Sequence, residues 1–453
     1  MKIIIEGAGE VGSHLAKMLR VESNEVTVID NDPDRLERLS SYADVEAILG
    51  NPSSIKVLKS AGVAKADLFI AVYPFSTQEM NIVGAILARE LGARKVIARI
   101  NDEEFLNAEN KLIFKELGIE LMFYPERIAA DEIINSIKHN ATTETMEFAH
   151  GKIQIAVFKV DEDSPIVDMT LGEFVGMMTP EEKRLFRIIA IARGEKTLIP
   201  KLDTRFCFGD QVYTISKREG LPRIIEIFGK TTLNVENVMI VGGSRIAEMV
   251  ARSLSKQVRE IKIIDKNREH CIELSERLPE NVMVINGDGR NSDFLFEEGI
   301  KGYDAFIALT GSDDTNVLSC VVAKKFGVPR TIAEVENIEY IRLADEMGVD
   351  TIINKKLITA SRIFKFTLSG TARMVKYMSG TDAEILEYTV APGSRITKAA
   401  LKDIDFPRNA IIGGVIRGSD AFIAVGDTTI EPYDRVAIFA LPQTINEIDK
   451  FFT

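Results

Sequence analysis

Gly7-Ala8-Gly9-Glu10-Val11-Gly12 follows the apolar run Ile3-Ile4-Ile5, and Asp30 closes the next apolar run, Val26-Thr27-Val28-Ile29. Each residue type at that spacing has a chemical use. Gly7 permits a tight strand-to-helix turn, Gly9 lets the backbone approach a pyrophosphate, and Gly12 lets the helix pack closely on the strand. Ala8, Glu10 and Val11 complete a loop whose free N–H groups, at a helix N-terminus, attract an anion. Asp30 stands where a carboxylate accepts hydrogen bonds from ribose hydroxyls and repels a 2′-phosphate. The chemistry implied is non-covalent capture of an adenine nucleotide. NAD(H) leads, ATP and ADP are the other candidates, and NADP is disfavoured.

The same constellation recurs after the midpoint. Gly242-Gly243-Ser244-Arg245-Ile246-Ala247 and Asp265 each lie 235 residues beyond Gly7-Ala8-Gly9-Glu10-Val11-Gly12 and Asp30. The copy keeps the first glycine, has a tolerable Ala247 at the third, and puts the Cβ of Ser244 where a pyrophosphate should approach. Arg99 ends a strand in the first half and would pair with a phosphate if it faced the mouth of the sheet, a role its counterpart Glu334 would oppose. On these residues the first site is favoured over the second.

Catalytic groups are what the sequence does not supply. The four histidines, His14, His139, His150 and His270, stand in no pattern with a carboxylate or nucleophile. No phosphate-binding GxxxxGK[ST] loop, HExxH, GxSxG or clustered metal ligands occur. The acidic runs Asp161-Glu162-Asp163 and Asp313-Asp314 read as solvated turns. An NAD-dependent oxidoreductase is the rival reading, and it needs a proton donor facing the nicotinamide that no segment offers. The chain is expected to have no enzyme activity.

The elements that must position these residues are themselves duplicated. Gly50 and Gly287, Gly62 and Gly299, and Ala71 and Ala308 stay in phase at 237 residues, and Asn81 and Asn316 at 235. Strand, turn, helix and acid recur together, which marks an internal repeat. The first half predicts strands at 3–6, 26–30, 46–49, 68–72 and 96–100, with helices such as 12–20 and 77–91 between them. Apolar strands alternating with helices imply a parallel, doubly wound sheet. Beyond residue 140 the pattern turns to alternating β segments: 188–193, a turn at Gly194-Glu195, and 212–215 after Gly209-Asp210. These are echoed by 411–417, Gly418-Ser419, and 435–439 after Tyr433-Asp434, with Arg193 and Arg417, and Asp210 and Asp434, each 224 residues apart. The fold class is therefore α/β, two Rossmann-type sheets each followed by a smaller β-rich α+β lobe. The domains run 1–140, 141–229, 230–368 and 369–453.

Composition sets the outer limits. A chain of 453 residues needs more than one core. Its net charge of −12 argues against broad nucleic-acid binding, which needs a basic surface. No apolar run is long enough to span a bilayer, and the N-terminus runs directly into a strand pattern. Cys207, Cys271 and Cys320 form no CxxC pair and fit a reducing cytosol as packed thiols.

The repeated pattern, with Leu49-Gly50-Asn51, Ala61-Gly62, the strand at 68–72, Asn81, Arg99 and the Arg193-Gly194 and Arg417-Gly418 turns, resembles the RCK (KTN) domains that regulate potassium channels and transporters. The resemblance covers essentially the whole chain. It implies that Gly7 to Val11, Asp30, Tyr73, Pro74 and Arg99 line the first nucleotide site, and Gly242 to Ile246, Asp265, Asp288, Thr310 and Gly311 the second. Two departures stand out. Asn51 replaces an acid that Asp288 keeps, and Tyr73-Pro74-Phe75 replaces small residues that Thr310-Gly311-Ser312 keep. The resemblance further implies a cytoplasmic, peripheral regulatory subunit, assembled as a homotetramer, that gates a membrane-embedded potassium-translocating partner in response to nucleotide.

Overall fold

The computed structural model describes residues 1–21, 24–73, 78–138, 142, 144–148, 151–194, 196–367, 372–377 and 383–452. The first half opens with strands β1 (Lys2–Glu6), β2 (Glu25–Asp30), β3 (Glu46–Leu49), β4 (Leu68–Ala71), β5 (Val96–Arg99) and β6 (Leu121–Phe123). Between and after them run helices α1 (Glu10–Val21), α2 (Pro33–Tyr42), α3 (Ile55–Ser60), α4 (Gln78–Glu90), α5 (Ala108–Glu116) and α6 (Pro125–Lys138). The strands pair in parallel in the order β3-β2-β1-β4-β5-β6, the Rossmann order. Ile3, Ile4 and Ile5 have no accessible surface, as a central strand covered on both faces requires. Helix α2 starts where it does because Asp32 caps it, accepting from the Asp34 and Arg35 N–H groups, with Pro33 following at the first helical position.

The first lobe holds β7 (Glu144–Phe148), β8 (Ile153–Lys159), β9 (Phe186–Arg193), β10 (Lys196–Leu198) and β11 (Gln211–Lys217), with α7 (Leu171–Met177), α8 (Glu182–Leu185) and α9 (Leu221–Ile227). Its sheet is antiparallel, in the order β10-β9-β11-β8-β7.

The second half repeats this plan. Strands β12 (Asn237–Val241), β13 (Glu260–Asp265), β14 (Val282–Asn286), β15 (Ala305–Ala308), β16 (Arg330–Glu334) and β17 (Thr351–Ile353) form a parallel sheet in the order β14-β13-β12-β15-β16-β17. Its helices are α10 (Arg245–Leu254), α11 (Arg268–Arg277), α12 (Ser292–Glu297), α13 (Asp313–Lys325), α14 (Ile338–Glu346) and α15 (Lys355–Thr367). The closing lobe has β18 (Ala372–Tyr377), β19 (Glu384–Thr389), β20 (Ala410–Arg417), β21 (Asp420–Ile423), β22 (Arg435–Ala440) and α16 (Ile445–Phe452), with the antiparallel order β18-β19-β22-β20-β21.

Compaction does not follow chain order. Met1–Ile133 and Asn237–Thr367 form one unit, the two Rossmann domains together, and Ile134–Glu236 with Leu368–Thr453 form the other. In the lobe unit one apolar core runs through both copies: Ile153, Ile155, Tyr213 and Ile215 pack with Ile385, Ile416 and Phe439. The Tyr213 and Phe439 rings lie 5.5 Å apart. Gly414 on β20 packs closely there: a Cβ would sit 2.9 Å from Ile153 Cδ1, and that side chain would have to shift. Each lobe also carries a fork from a partly exposed arginine onto a buried aspartate. Arg193 donates from Nε and Nη2 to the two oxygens of Asp210, both at 2.8 Å, and Arg417 does the same to Asp434 at 2.9 and 2.8 Å. Bidentate pairs of this kind fix geometry as well as energy, and they tie the turn after β9 or β20 to the start of β11 or β22.

In the Rossmann unit a single asparagine organises each crevice. Asn81 Oδ1 accepts the Tyr73 N–H at 2.7 Å, while its Nδ2 donates to the Tyr73 and Arg99 carbonyls. Asn316 repeats all three bonds with Thr310 N–H, Thr310 O and Glu334 O. Position 73 is thereby the structural equivalent of 310, and 99 of 334.

Candidate functional site

The strand order reverses between β1 and β4, and again between β12 and β15. Crevices at such switch points, outside the carboxyl ends of the strands, are where open α/β sheets take ligands.

In the first crevice Gly7 adopts φ 107° and its N–H donates to Ile29 O at 2.8 Å. A Cβ on Gly12 would lie 1.8 Å from the Gly7 carbonyl oxygen, so only glycine lets α1 start this close to the turn. The Gly9 carbonyl accepts the Ser13 N–H at 2.8 Å as α1 begins, and Val11 is buried beneath it. The loop is fastened to Asp30 by the Ala8 N–H, which donates to Oδ2 at 2.6 Å. Asp30 has no accessible surface. Its Oδ1 accepts the Asp32 N–H at 2.9 Å and faces the Tyr73 hydroxyl at 2.9 Å, while Arg35 Nη1 stands 3.9 Å from Oδ2. The Tyr73 hydroxyl also lies 2.5 Å from Asn31 Oδ1 and accepts the Asn31 N–H. Burial, with the Asp30 carboxylate adding to it, pushes that phenol up to about 12, so it stays a donor.

The other residues expected in this site lie apart from that contact. Asn51 is exposed and its Oδ1 caps the Ser53 N–H. Pro74 lies outside the described residues. Arg99 pairs with Glu126 at the start of α6 at 3.4 Å, with each side chain 13% exposed. Burial lowers its pKa, which Glu126 partly offsets.

The second crevice keeps the frame and changes the lining. Gly242 has φ 95° and donates to Ile264 O, and the Gly243 N–H donates to Asp265 Oδ2 at 2.7 Å. Ser244 is the N-cap of α10, its Oγ accepting the Ala247 N–H, and Ile246 is buried behind it. Asp265 remains 16% exposed, with the Asn267 N–H on Oδ1 and His270 Nδ1 at 3.8 Å from Oδ2. Thr310 Oγ1 donates to Asn316 Oδ1 at 2.7 Å and does not cross to Asp265, and Gly311 follows it in the open turn. Asp288 is held by Arg290 through Nε and Nη2, which brings its carboxyl down to about 2. Glu334, the counterpart of Arg99, pairs with Lys355 at 3.0 Å, which Glu336 shares.

Each glycine loop also reaches the other Rossmann domain. Glu10 pairs with Lys356 at the start of α15 at 2.8 Å, and Arg245, at the equivalent position, donates from Nη1 to Asn101 O after β5 at 3.3 Å. Sequence reading missed this crossing, whose partners, Lys356 and Asn101, lie far along the chain from positions 10 and 245. It also missed the Tyr73–Asp30 contact. Asp313, read as part of a solvated turn, instead accepts the Glu336 and Asn337 N–H groups. Among the described residues, no group of three or more His, Cys, Asp and Glu is placed to hold a metal ion, and no helix is long and apolar enough to cross a membrane.

Two Rossmann domains with matched glycine loops and acids, each followed by an antiparallel lobe, define a tandem RCK-type protein. The TrkA-N domain model matches residues 3–125 and 238–355, and the TrkA-C domain model residues 155–229 and 385–453. A Trk system potassium uptake protein TrkA homolog of Archaeoglobus fulgidus is 34% identical over 454 residues, covering 100% of both chains. The Trk system potassium uptake protein TrkA of Halomonas elongata is 31% identical, covering 100% of this chain and 98% of its own. The chain belongs to the TrkA family, among the proteins of potassium transport. The solved GsuK RCK domain superposes with a TM-score of 0.61 at 17% identity, covering 100% of this chain and 94% of that one. A GsuK channel bound to NAD gives 0.60 at 16%, covering 100% and 78%. At that identity these two speak for the fold.

Proposed function

We propose that this chain is the nucleotide-sensing regulatory subunit of a membrane potassium-uptake system, without catalytic activity of its own. NAD(H) is the leading ligand, with ATP and ADP as alternatives. The subunit works at the cytoplasmic face as a homo-oligomeric ring, a tetramer by family resemblance, docked on a potassium-translocating membrane partner. The observation that carries this reading is the double duty of positions 10 and 245. Each lies in a glycine loop, at a helix N-terminus suited to a phosphate, and each also touches the opposite Rossmann domain. A ligand that seats on the loop therefore meets the contact that sets how the two domains pack. A difference in affinity between two packings of about 1–3 kcal/mol is enough for useful coupling. The relatives' names and the NAD bound to one structural neighbour support the same reading.

Calorimetry of the full chain with NADH, ATP and ADP tests it, paired with hydrogen exchange across α1 and α15. Binding of at least one nucleotide with altered exchange in those helices is expected. Binding without any change there would remove the coupling. Sustained NADH oxidation with a panel of carbonyl compounds would replace the regulator by an oxidoreductase.

A further inference from the structure

The two crevices are not equally open, and the difference reverses the preference drawn from the glycine fingerprint. In the first, the carboxylate placed for a ribose is already engaged. Asp30 has no accessible surface, and its Oδ1 lies 2.9 Å from the hydroxyl of Tyr73, which reaches across the mouth of the sheet from the end of β4 and divides its one proton between Asp30 Oδ1 and Asn31 Oδ1 at 2.5 Å. The tyrosine ring also lies over the loop: a Cβ on Gly7 would be 3.2 Å from Tyr73 Cδ2. One side chain thus covers both the sugar-binding acid and the turn where a pyrophosphate would rest. In the second crevice position 310 is a threonine whose hydroxyl is turned to Asn316, and Asp265 keeps accessible surface.

Charge points the same way. The first helical residue of the loop is Glu10 in one copy and Arg245 in the other, and the residue after the ribose acid is Asn31 in one and Lys266 in the other. At a helix N-terminus a carboxylate competes with a phosphate and a guanidinium attracts it. Glu334 in place of Arg99 runs the other way; all four are engaged, Arg99 with Glu126, Glu334 with Lys355, Glu10 with Lys356 and Arg245 with Asn101 O, so the uncovered acid and not the charge count decides between the clefts.

We infer that Tyr73 is an internal latch: its phenol stands in for a ribose hydroxyl on Asp30, so that the first cleft is closed by the chain itself and the second is the resident nucleotide site. This rests on the nucleotide-binding reading above. A ligand for the first cleft must first displace the phenol, so its apparent affinity falls by the fraction of time the latch is open. A hydrogen bond to a buried carboxylate is strong enough to weaken binding tenfold or more by this route. Both clefts would fill only where the nucleotide is abundant, which gives one chain a sensitive site and a reserve site.

The test is calorimetric titration of the full chain with NADH and with ATP, comparing wild type with Tyr73→Thr, Tyr73→Phe and Asp265→Asn. Wild type is expected to bind one nucleotide per chain, and Asp265→Asn to remove that event. Tyr73→Thr, which installs the residue of the second copy, should raise the stoichiometry to two per chain, and adding Asp30→Asn should return it to one. Tyr73→Phe keeps the ring and its packing while losing the donor. It should tighten the first cleft about tenfold, and it carries the test if Tyr73→Thr does not fold. Two equal sites in wild type, a single site that survives Asp265→Asn, or a Tyr73→Phe chain that binds as wild type does would each overturn the latch while leaving nucleotide binding intact. Failure of every chain, Tyr73→Thr included, to bind either nucleotide would instead remove the nucleotide-binding reading itself.

Discussion

Asn81 and Asn316 hold the same three backbone groups in the two Rossmann domains, whereas the residues around them have parted company. Tyr73 faces Thr310, Glu10 faces Arg245, Arg99 faces Glu334, and Glu6 faces Val241 across the repeat. The groups kept are those whose bonds close the backbone of the crevice, where any change leaves a buried N–H or carbonyl without a partner. The groups that differ are side chains on the lining, where a change alters the ligand or the neighbour without breaking the frame. A duplication relieved of doing the same work twice diverges at the lining and not at the frame.

The sharpest way to break the comparison is at the third loop position. Gly12 has the Gly7 carbonyl 1.8 Å from where a Cβ would be, yet Ala247 carries a Cβ at the equivalent place. Gly12→Ala should therefore cost about 3 kcal/mol through overpacking of the turn. Ala247→Gly should cost only about 1 kcal/mol, the helix-propensity difference. Urea denaturation of the two variants reads both. Equal costs would mean that the two loops share one backbone path and that the asymmetry is confined to side chains.

A second contrast of intermediate size lies at the end of the first strand of each half. Glu6 has no accessible surface, and neither of its oxygens has a partner among the described residues; Gly84 packs so tightly on it that a Cβ there would lie 2.0 Å from Oε2. Burial lifts its carboxyl well above the ordinary 4.5. A folded-state pKa raised above the unfolded one means that the native state binds the extra proton. The contribution of Glu6 is thus most favourable below about pH 4.5 and declines as pH rises through the raised value. Glu6→Val, the residue of the second copy, should stabilise the chain near neutral pH by about 1–3 kcal/mol, the cost of an unsatisfied buried polar group. It should also remove that decline. Thermal melts from pH 5 to pH 8 check the sign: a variant less stable than wild type throughout would show that Glu6 has a partner after all.

Much of this was legible in the residues. The 3–6, 26–30, 46–49, 68–72 and 96–100 runs matched β1 to β5 within a residue or two, because short, mostly apolar runs alternating with helical segments at a repeated spacing admit little else. The three-residue strands β6 and β17 were too short to announce themselves, and the lobe strands β7, β8, β18 and β19 were not delimited, although Gly151, at φ 81°, turns β7 into β8. Arg193 and Asp210 were visible as a repeated pair, but their fork was not, since it joins strand ends through space. The grouping of the two Rossmann domains into one unit could not be read from a chain in which a lobe separates them. Likewise Tyr73 was noticed as a departure from small residues, while its target, 43 positions away, depends on the length of the side chain and the geometry of two loops.

The smallest expected effect concerns the bridge between the domains. The Glu10 side chain is 67% exposed, which leaves its end of the 2.8 Å bond open to solvent, whereas Lys356 is 16% exposed. Such pairs contribute at most about 1 kcal/mol and are screened by salt. Glu10→Ala should lower stability by less than that, the effect fading at high ionic strength; Lys356→Ala should cost more, since it also removes the bond to Glu336 O, and the double variant should be no worse than Lys356→Ala. A double-mutant cycle at two salt concentrations measures it. The weakness matters to the comparison because Arg245, at the matching position, makes its crossing to a backbone carbonyl, which has no charge to screen. Salt should then loosen one loop's hold on the opposite domain and spare the other. A contact this weak can be broken and remade when a ligand arrives, as two domains that repack require. A loss above about 2 kcal/mol, or one indifferent to salt, would make Glu10 a fixed strut and would move the site of any switching elsewhere.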